Sequence, residues 1–204
     1  MIVIETISFS EAFKYPFKTP KRLLYALLLF VPIIGWLALF GYVVRLINEF
    51  IEGRYEGLIK LDFIEDLNLG FMVFLKSLPF YIIYFIITSA TIYVNETFGN
   101  IVNLLLGFFV VPILAINFKR KQTVESYFEF NILKNVTDNL GDYIVAILKQ
   151  WALFFVFLVL FLVLVGIPAV YFTSSIFIAN FYGNFVEQKH TLPFNTQSKD
   201  PSTF

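Results

Sequence analysis

The chain of 204 residues contains no cysteine, one histidine (His190) and only 15% charged residues, with 15 basic side chains balanced by 15 acidic ones. The absence of cysteine excludes a disulfide framework and thiol catalysis, and a single histidine cannot supply the usual zinc or haem ligand sets. A net charge of zero provides no basic field to hold nucleic acid. Apolar bulk is what the sequence has in quantity: 58% hydrophobic residues, 27 of them Phe, and a mean hydropathy of +0.77. Such values lie outside the soluble range, and a soluble fold of this length could not hide so much apolar surface. The composition therefore predicts an integral membrane protein, all-α because a helix satisfies its own backbone in lipid.

Four apolar blocks stand out: Leu23 to Val44, Leu69 to Val94, Ile101 to Phe118, and Ile144 to Val186. A helix needs about 20 residues to cross ~30 Å of hydrocarbon. The fourth block would span about 65 Å and must break, and Gly166 and Pro168 are the expected point. The second and third blocks are joined by the turn Asn95 to Asn100. The first begins near Leu23 without a small-residue cleavage site, so it is expected to stay attached rather than act as a secretory signal.

Whether the first block crosses once or reverses at Val31-Pro32-Ile33-Ile34-Gly35 is decided by charge. Basic residues number four before it (Lys14, Lys18, Lys21, Arg22) and three after it (Arg45, Arg54, Lys60). Four more lie between the third and fourth blocks (Lys119, Arg120, Lys121, Lys134) and two in the tail (Lys189, Lys199). A single crossing divides them four against nine. A hairpin puts all thirteen on one face, which the positive-inside rule favours, and Trp36 near the apex fits the preference of indole for an interface. The arm from Pro20 to Val31 covers only about 18 Å, so a re-entrant hairpin stays open beside a crossing one.

The expected architecture is a polytopic helical membrane bundle of three hairpins, at about residues 20–52, 69–118 and 144–187. Together they form one membrane domain over residues 1–188, in the cell membrane with both termini cytoplasmic, followed by a polar, disordered tail at 189–204. A short amphipathic segment precedes each hairpin. Ser8 can cap the first, with Glu11 reaching back and Phe9 and Phe13 on one face, and Thr19-Pro20 then opens the next helix. Asp62 with Glu65 opens the second, which runs on toward Lys76 and Pro79. Val124, Phe128, Ile132, Val136 and Leu140 form an i, i+4 stripe in the third. These segments lie on a membrane or pack on the ends of the bundle.

Phe30-Val-Pro-Ile-Ile-Gly35, Gly41-Tyr42-Val-Val-Arg45, Glu52-Gly53, Asp66 to Gly70 and the opening Ala12-Phe13-Lys14-Tyr15-Pro16-Phe17 resemble the domain-of-unknown-function 4013 family of archaeal and bacterial membrane proteins. The likeness runs from residue 5 to about 188 and departs from the family pattern at Ile59, where Pro usually follows the Gly-Leu. It implies a multi-span helical membrane protein and supplies no activity or catalytic residue.

All fifteen carboxylates fall in expected loops or helix ends, which weakens an ion-coupled transport reading, since such transporters keep an ionisable group near the midplane. Glu65 and Asp66 read as a solvated helix start. Lys76 and Lys149 fall inside apolar blocks, about 9 Å from their basic-side starts, where they snorkel or contact anionic lipid headgroups. Thr88, Ser89, Thr91, Asn103, Asn117, Thr173, Ser174, Ser175 and Asn180 either bond helices together or line a solute path. The acidic stretch Glu49 to Asp66 reads as a surface for a basic partner or as a solvated loop. No phosphate loop, zinc-protease or serine-hydrolase motif is present, and no cofactor is expected. The sequons at Asn95 and Asn135 are short enough to arise by chance, and only Asn95 falls on the expected outer face. Two classes of function follow: a non-enzymatic structural, interaction or lipid-associated membrane component, or a permease or channel for an uncharged or amphiphilic solute. Partners in the first case are the bilayer, its anionic headgroups or another membrane protein at the inner face.

Overall fold

A computed structural model describes residues 6–163 and 165–187, and these are mostly helical, with no strand among them. His190 and the expected tail at 189–204 lie outside the described residues. Among the described residues, four helices are long and apolar enough to cross a membrane: Ile34–Ile51, Phe63–Val94, Glu96–Lys121 and Leu140–Val159.

The first block reverses. A 3₁₀ helix, Pro20–Phe30, begins with the proline whose missing N–H a first turn does not need. It leads into helix α2, Ile34–Ile51, which follows α1, Phe9–Lys14. The reversal is a γ-turn of the rare, strained hand, with Ile33 at φ 63, ψ −69 and the Ile34 N–H donating to the Pro32 carbonyl at 2.7 Å. A Cβ on Gly35 would sit 2.1 Å from the Leu28 carbonyl oxygen, so only glycine fits the apex. Trp36 Nε1 donates across the turn to the Leu29 carbonyl at 2.8 Å, and the Tyr25 and Tyr42 rings meet edge-on farther down. At the open end the Arg22 guanidinium donates to the Leu58 carbonyl and Lys18 Nζ to that of Tyr55 at 2.6 Å. The two arms therefore run antiparallel, the arrangement that the charge count favours.

Helix α3, Phe63–Val94, is a single 32-residue helix that merges the second amphipathic segment with the second block and carries Pro79 in its interior. Asp62 caps it by accepting from the Glu65 N–H at 3.1 Å, but the side chain that reaches back to the Asp62 N–H is Asp66, at 2.9 Å, and not Glu65. The capping box expected at Ser8 and Glu11 is complete. Asn95 caps α4, Glu96–Leu105, which turns back along α3, with Gly99 pressed against the Ile92 backbone and Tyr84 donating to Asn103. A π-turn, Leu106–Val110, separates α4 from α5, Val111–Lys121. Its cause is Pro112, which cannot donate to the carbonyl of Phe108. The Tyr143 hydroxyl supplies the missing donor, at 3.4 Å from that oxygen and 3.2 Å from the Phe109 oxygen.

The third amphipathic segment is three short pieces rather than one helix: 3₁₀ turns at Val124–Phe128 and Phe130–Ile132, then α6, Leu133–Asp138. Ile132 and Val136 are buried and Leu140 is exposed. Tyr127 stacks between Phe80, at 4.2 Å, and Phe118, at 4.1 Å. Phe9 and Phe13 of α1 stack on Phe177 and Phe157. The apolar faces of the first and third segments are thus turned to the bundle.

Helix α7, Leu140–Val159, continues as a 3₁₀ turn, Leu160–Val163. The chain then reverses into α8, Gly166–Thr173, where Gly166 lies 2.2 Å (as a virtual Cβ) from the Phe157 carbonyl oxygen. Pro168 sits in the first turn of α8, where its lost N–H is harmless. A second break at Ser174 and Ser175, unforeseen from sequence, separates α8 from α9, Ile176–Tyr182, which ends in a π-turn, Gly183–Glu187.

Burial is uneven. The apolar window of α2 is 61% buried, against 22% to 28% in the other three long helices, so α2 is the axis of the core. From Tyr81 to Val110, by contrast, only Thr88 and Gly99 are buried.

Candidate functional site

Three places concentrate polar chemistry. The first is the crossing of α2 and α3. A Cβ on Gly41 would lie 2.0 Å from the Asp66 carbonyl oxygen and one on Gly70 would lie 1.8 Å from that of Leu37, so the two backbones touch. Backbone contact of this kind is how small residues bind helices in lipid. One turn along from Gly41, the Arg45 guanidinium forks onto Asp66, Nε to Oδ1 at 2.6 Å and Nη2 to Oδ2 at 2.7 Å, and donates to the Lys60 carbonyl at 3.0 Å. Asp66 is fully buried. The sequence reading of Glu65-Asp66 as a solvated helix start is corrected here: Glu65 is exposed, while Asp66 points inward because Arg45 neutralises it and the Asp62 N–H completes its acceptor shell. Gly41, Tyr42, Arg45, Asp66 and Gly70, which carried the family resemblance, therefore converge on one contact, with the Tyr42 hydroxyl tying the Ile59 carbonyl at 2.9 Å.

The second place is a charge network at the C-terminal ends of α2 and α5. Arg120 donates to Glu52 at 2.8 Å, to Asn48 at 3.1 Å and to Glu187 at 2.7 Å, while Arg54 holds Glu49 and also Glu52. Burial would raise the Glu52 carboxyl, but the Arg120 hydrogen bond and the Arg54 charge outweigh it and hold the group below its ordinary value. Glu49, Glu52 and Asp66 thus find their cations within the chain, leaving Glu56, Asp62 and Glu65 as the exposed acids of that stretch.

Lys76 and Lys149 are not brought together. Lys76 Nζ donates at 3.0 Å to the carbonyl of Gln122, the left-handed residue that ends α5. Lys149 Nζ lies 5.9 Å from the centre of the Phe177 ring and faces a small hollow that includes Asp142. Among the scattered polar residues, Asn103, Asn117 and Asn180 bond between segments: Asn117 accepts from Tyr182 at 2.6 Å and donates to the Ser126 carbonyl, and Asn180 donates to the Tyr55 hydroxyl. Thr88, Thr91 and Thr173 bond to carbonyls of their own helices.

The third place is a pair of adjoining cavities, of about 480 and 340 Å³, where α5 and the π-turn face α7 and the break between α8 and α9. Gly107, Pro112, Gln150, Trp151 and Ile178 wall both. These volumes are in the range of small-molecule sites. Gln150 holds the α8–α9 break together, donating to the Thr173 carbonyl at 3.0 Å and accepting from the Phe177 N–H at 3.3 Å, groups that the break leaves without helical partners. Lys119 and the Ser174 and Ser175 hydroxyls face the smaller cavity. A signal for Lys119 was present in the sequence: Pro112, Ala115, Ile116 and Lys119 follow i, i+3, i+4, i+7, as do Ile147, Gln150, Trp151 and Phe154 on α7. Among the described residues no group of three or more Asp, Glu, His or Cys side chains is placed to hold a metal ion.

Comparison with curated proteins and with solved structures gives no match. A family model, described as a protein of unknown function (DUF4013), matches residues 24–168, a narrower span than the resemblance from residue 5 to about 188. That span covers well over half of the chain and takes in the α2–α3 crossing and most of the cavity wall, and the chain belongs to the DUF4013 family.

Proposed function

We propose that the protein is a non-enzymatic, lipid-associated structural or interaction component of the cell membrane, a multi-pass protein with both termini on the cytoplasmic face. The observation that supports it is the bare hairpin of α3 and α4. Between Tyr81 and Val110 only Thr88 and Gly99 are buried, and Glu96 is the single charged residue. Apolar surface of that extent suits hydrocarbon and is unsuited to water. The thirteen basic residues outside the apolar blocks set the orientation. The bilayer is the first partner, nucleic acid is not one, and Lys76 and Lys149, each with N–H donors to spare, contact anionic headgroups at the cytoplasmic face. Unchanged anionic-lipid binding after replacing both with Gln would remove that contact from the reading.

Because no native thiol exists, single variants Glu56→Cys and Thr97→Cys can be labelled in intact cells with a membrane-impermeant reagent. The reading expects Thr97→Cys to label and Glu56→Cys to stay protected until lysis. The reverse pattern would overturn the orientation and turn the 52–62 loop outward.

The adjoining cavities support a second reading, a permease or channel for an uncharged or amphiphilic solute. Solute flux in reconstituted vesicles would favour it, and co-purification of a stoichiometric protein or lipid would favour the first.

A further inference from the structure

Three consecutive cations end α5, and they do not share a fate. Arg120 is held by Glu52 and Glu187, and Lys121 by Glu129. Lys119, between the apolar wall of α5 and the α8–α9 break, has no hydrogen bond, ion pair or ring contact among the described residues. It is half-buried and faces the 340 Å³ cavity. An ammonium beside an apolar wall is costly unless an anion accompanies it. Its neighbours across the cavity, Ser174 and Ser175, lie where the helix is interrupted, and neither hydroxyl has a partner among the described residues. Gln150 cannot serve as the counter-group, since both ends of its amide are already engaged. Away from Lys119, the wall turns to Trp151, Phe154, Val170 and Ile178, and it continues into the larger cavity past Gly107. One charged, donor-rich end joined to an apolar trough is the complement of a molecule with an anionic head and a hydrocarbon chain.

We propose that this seam is a binding site for a single anionic lipid, with Lys119 and the Ser174 and Ser175 hydroxyls receiving the headgroup and the Trp151 side of the cavity receiving an acyl chain. The site rests on the lipid-associated reading and differs from the surface contacts at Lys76 and Lys149, because the chain is taken between helices. Lys119 supplies selectivity for charge and the aromatic wall supplies affinity for the chain.

Trp36 and Trp151 are the chain's two tryptophans, so Trp36→Phe leaves a single reporter on the cavity wall. The protein is reconstituted into phosphatidylcholine vesicles carrying a few mole per cent of phosphatidylglycerol brominated on its acyl chain, or of equally brominated phosphatidylcholine. Trp151 fluorescence is expected to be quenched with about a fivefold preference for the anionic lipid. Lys119→Gln should erase that preference, Lys119→Arg should keep it, and Lys134→Gln, which removes an exposed charge elsewhere, should leave it unchanged. Native mass spectrometry of the unsubstituted protein and Lys119→Gln gives a second readout, a retained anionic lipid present in the first and lost in the second. Equal quenching by both lipids, or a preference that survives Lys119→Gln, overturns the site. Displacement of the preference by inorganic phosphate alone would also overturn it, by assigning Lys119 to a soluble anion. Vesicle flotation separates the two levels of failure: protein that floats without the preference sinks only this site, whereas protein that does not float sinks the lipid-associated reading itself.

Discussion

The α2–α3 crossing and the seam between α5 and α7 are both built from helices apolar enough to cross a membrane, yet they resolve the same problem in opposite ways. At the crossing, Gly41 and Gly70 have no space for a methyl group, and the one buried carboxylate of the contact, Asp66, is matched by Arg45 on both oxygens. At the seam, a Cβ on Gly107 would meet nothing within 4 Å, and the cation Lys119 has no partner among the described residues. Hydropathy cannot separate these cases, because it scores side chains and not the distance between backbones. The difference teaches that a glycine in an apolar helix marks either the tightest or the loosest contact, and that the state of the nearest charge tells which. A closed contact satisfies its charges internally, and an open one leaves a charge for something else.

The largest expected effect lies at the closed contact. Arg45→Leu would leave the Asp66 carboxylate buried without a counter-charge, at a cost of about 3–5 kcal/mol. Chemical unfolding in detergent micelles measures it, and adding Asp66→Asn should recover part of the loss by removing the orphaned charge. No loss in the single variant would mean that water reaches Asp66 and that the crossing is not closed.

Gly70→Ala comes next. The new methyl group would lie 1.8 Å from the Leu37 carbonyl oxygen, so the helices must separate, and overpacking of this kind costs about 1–3 kcal/mol. The same unfolding assay should show the loss, and a neutral result would place α2 and α3 farther apart than backbone contact allows.

How much of this was legible beforehand follows the range of the forces involved. Local chemistry was readable: the apolar blocks, the Ser8 and Glu11 capping box, and the reversal at Pro32–Gly35, where proline and glycine and the basic flanks agree. Features set by a distant partner were not. Asp66 and Glu65 are equivalent in sequence, and only the position of Arg45, 21 residues earlier, decides which is buried. The break at Ser174–Ser175 is invisible because its support, Gln150, comes from another helix. By sequence Lys119 belongs with the loop charges, although its spacing from Pro112 and Ile116 places it on the cavity face; a positive charge near a helix end reads as a cap until the opposing wall is known.

The smallest predicted effect is the most discriminating, because it applies the same substitution to the open region. Gly107→Ala adds a methyl group that meets no atom within 4 Å, and alanine in a helix is favoured over glycine by about 0.5–1 kcal/mol through the lower backbone entropy of the unfolded chain. The variant should therefore be slightly more stable than the parent in the assay where Gly70→Ala is weaker. Gly107 also walls both cavities, so the added methyl narrows the passage between them without touching Lys119. If Gly107→Ala instead destabilised as Gly70→Ala does, α5 and α7 would close on each other in the working protein, the trough would not exist, and the contrast between the two regions would fail at its open end.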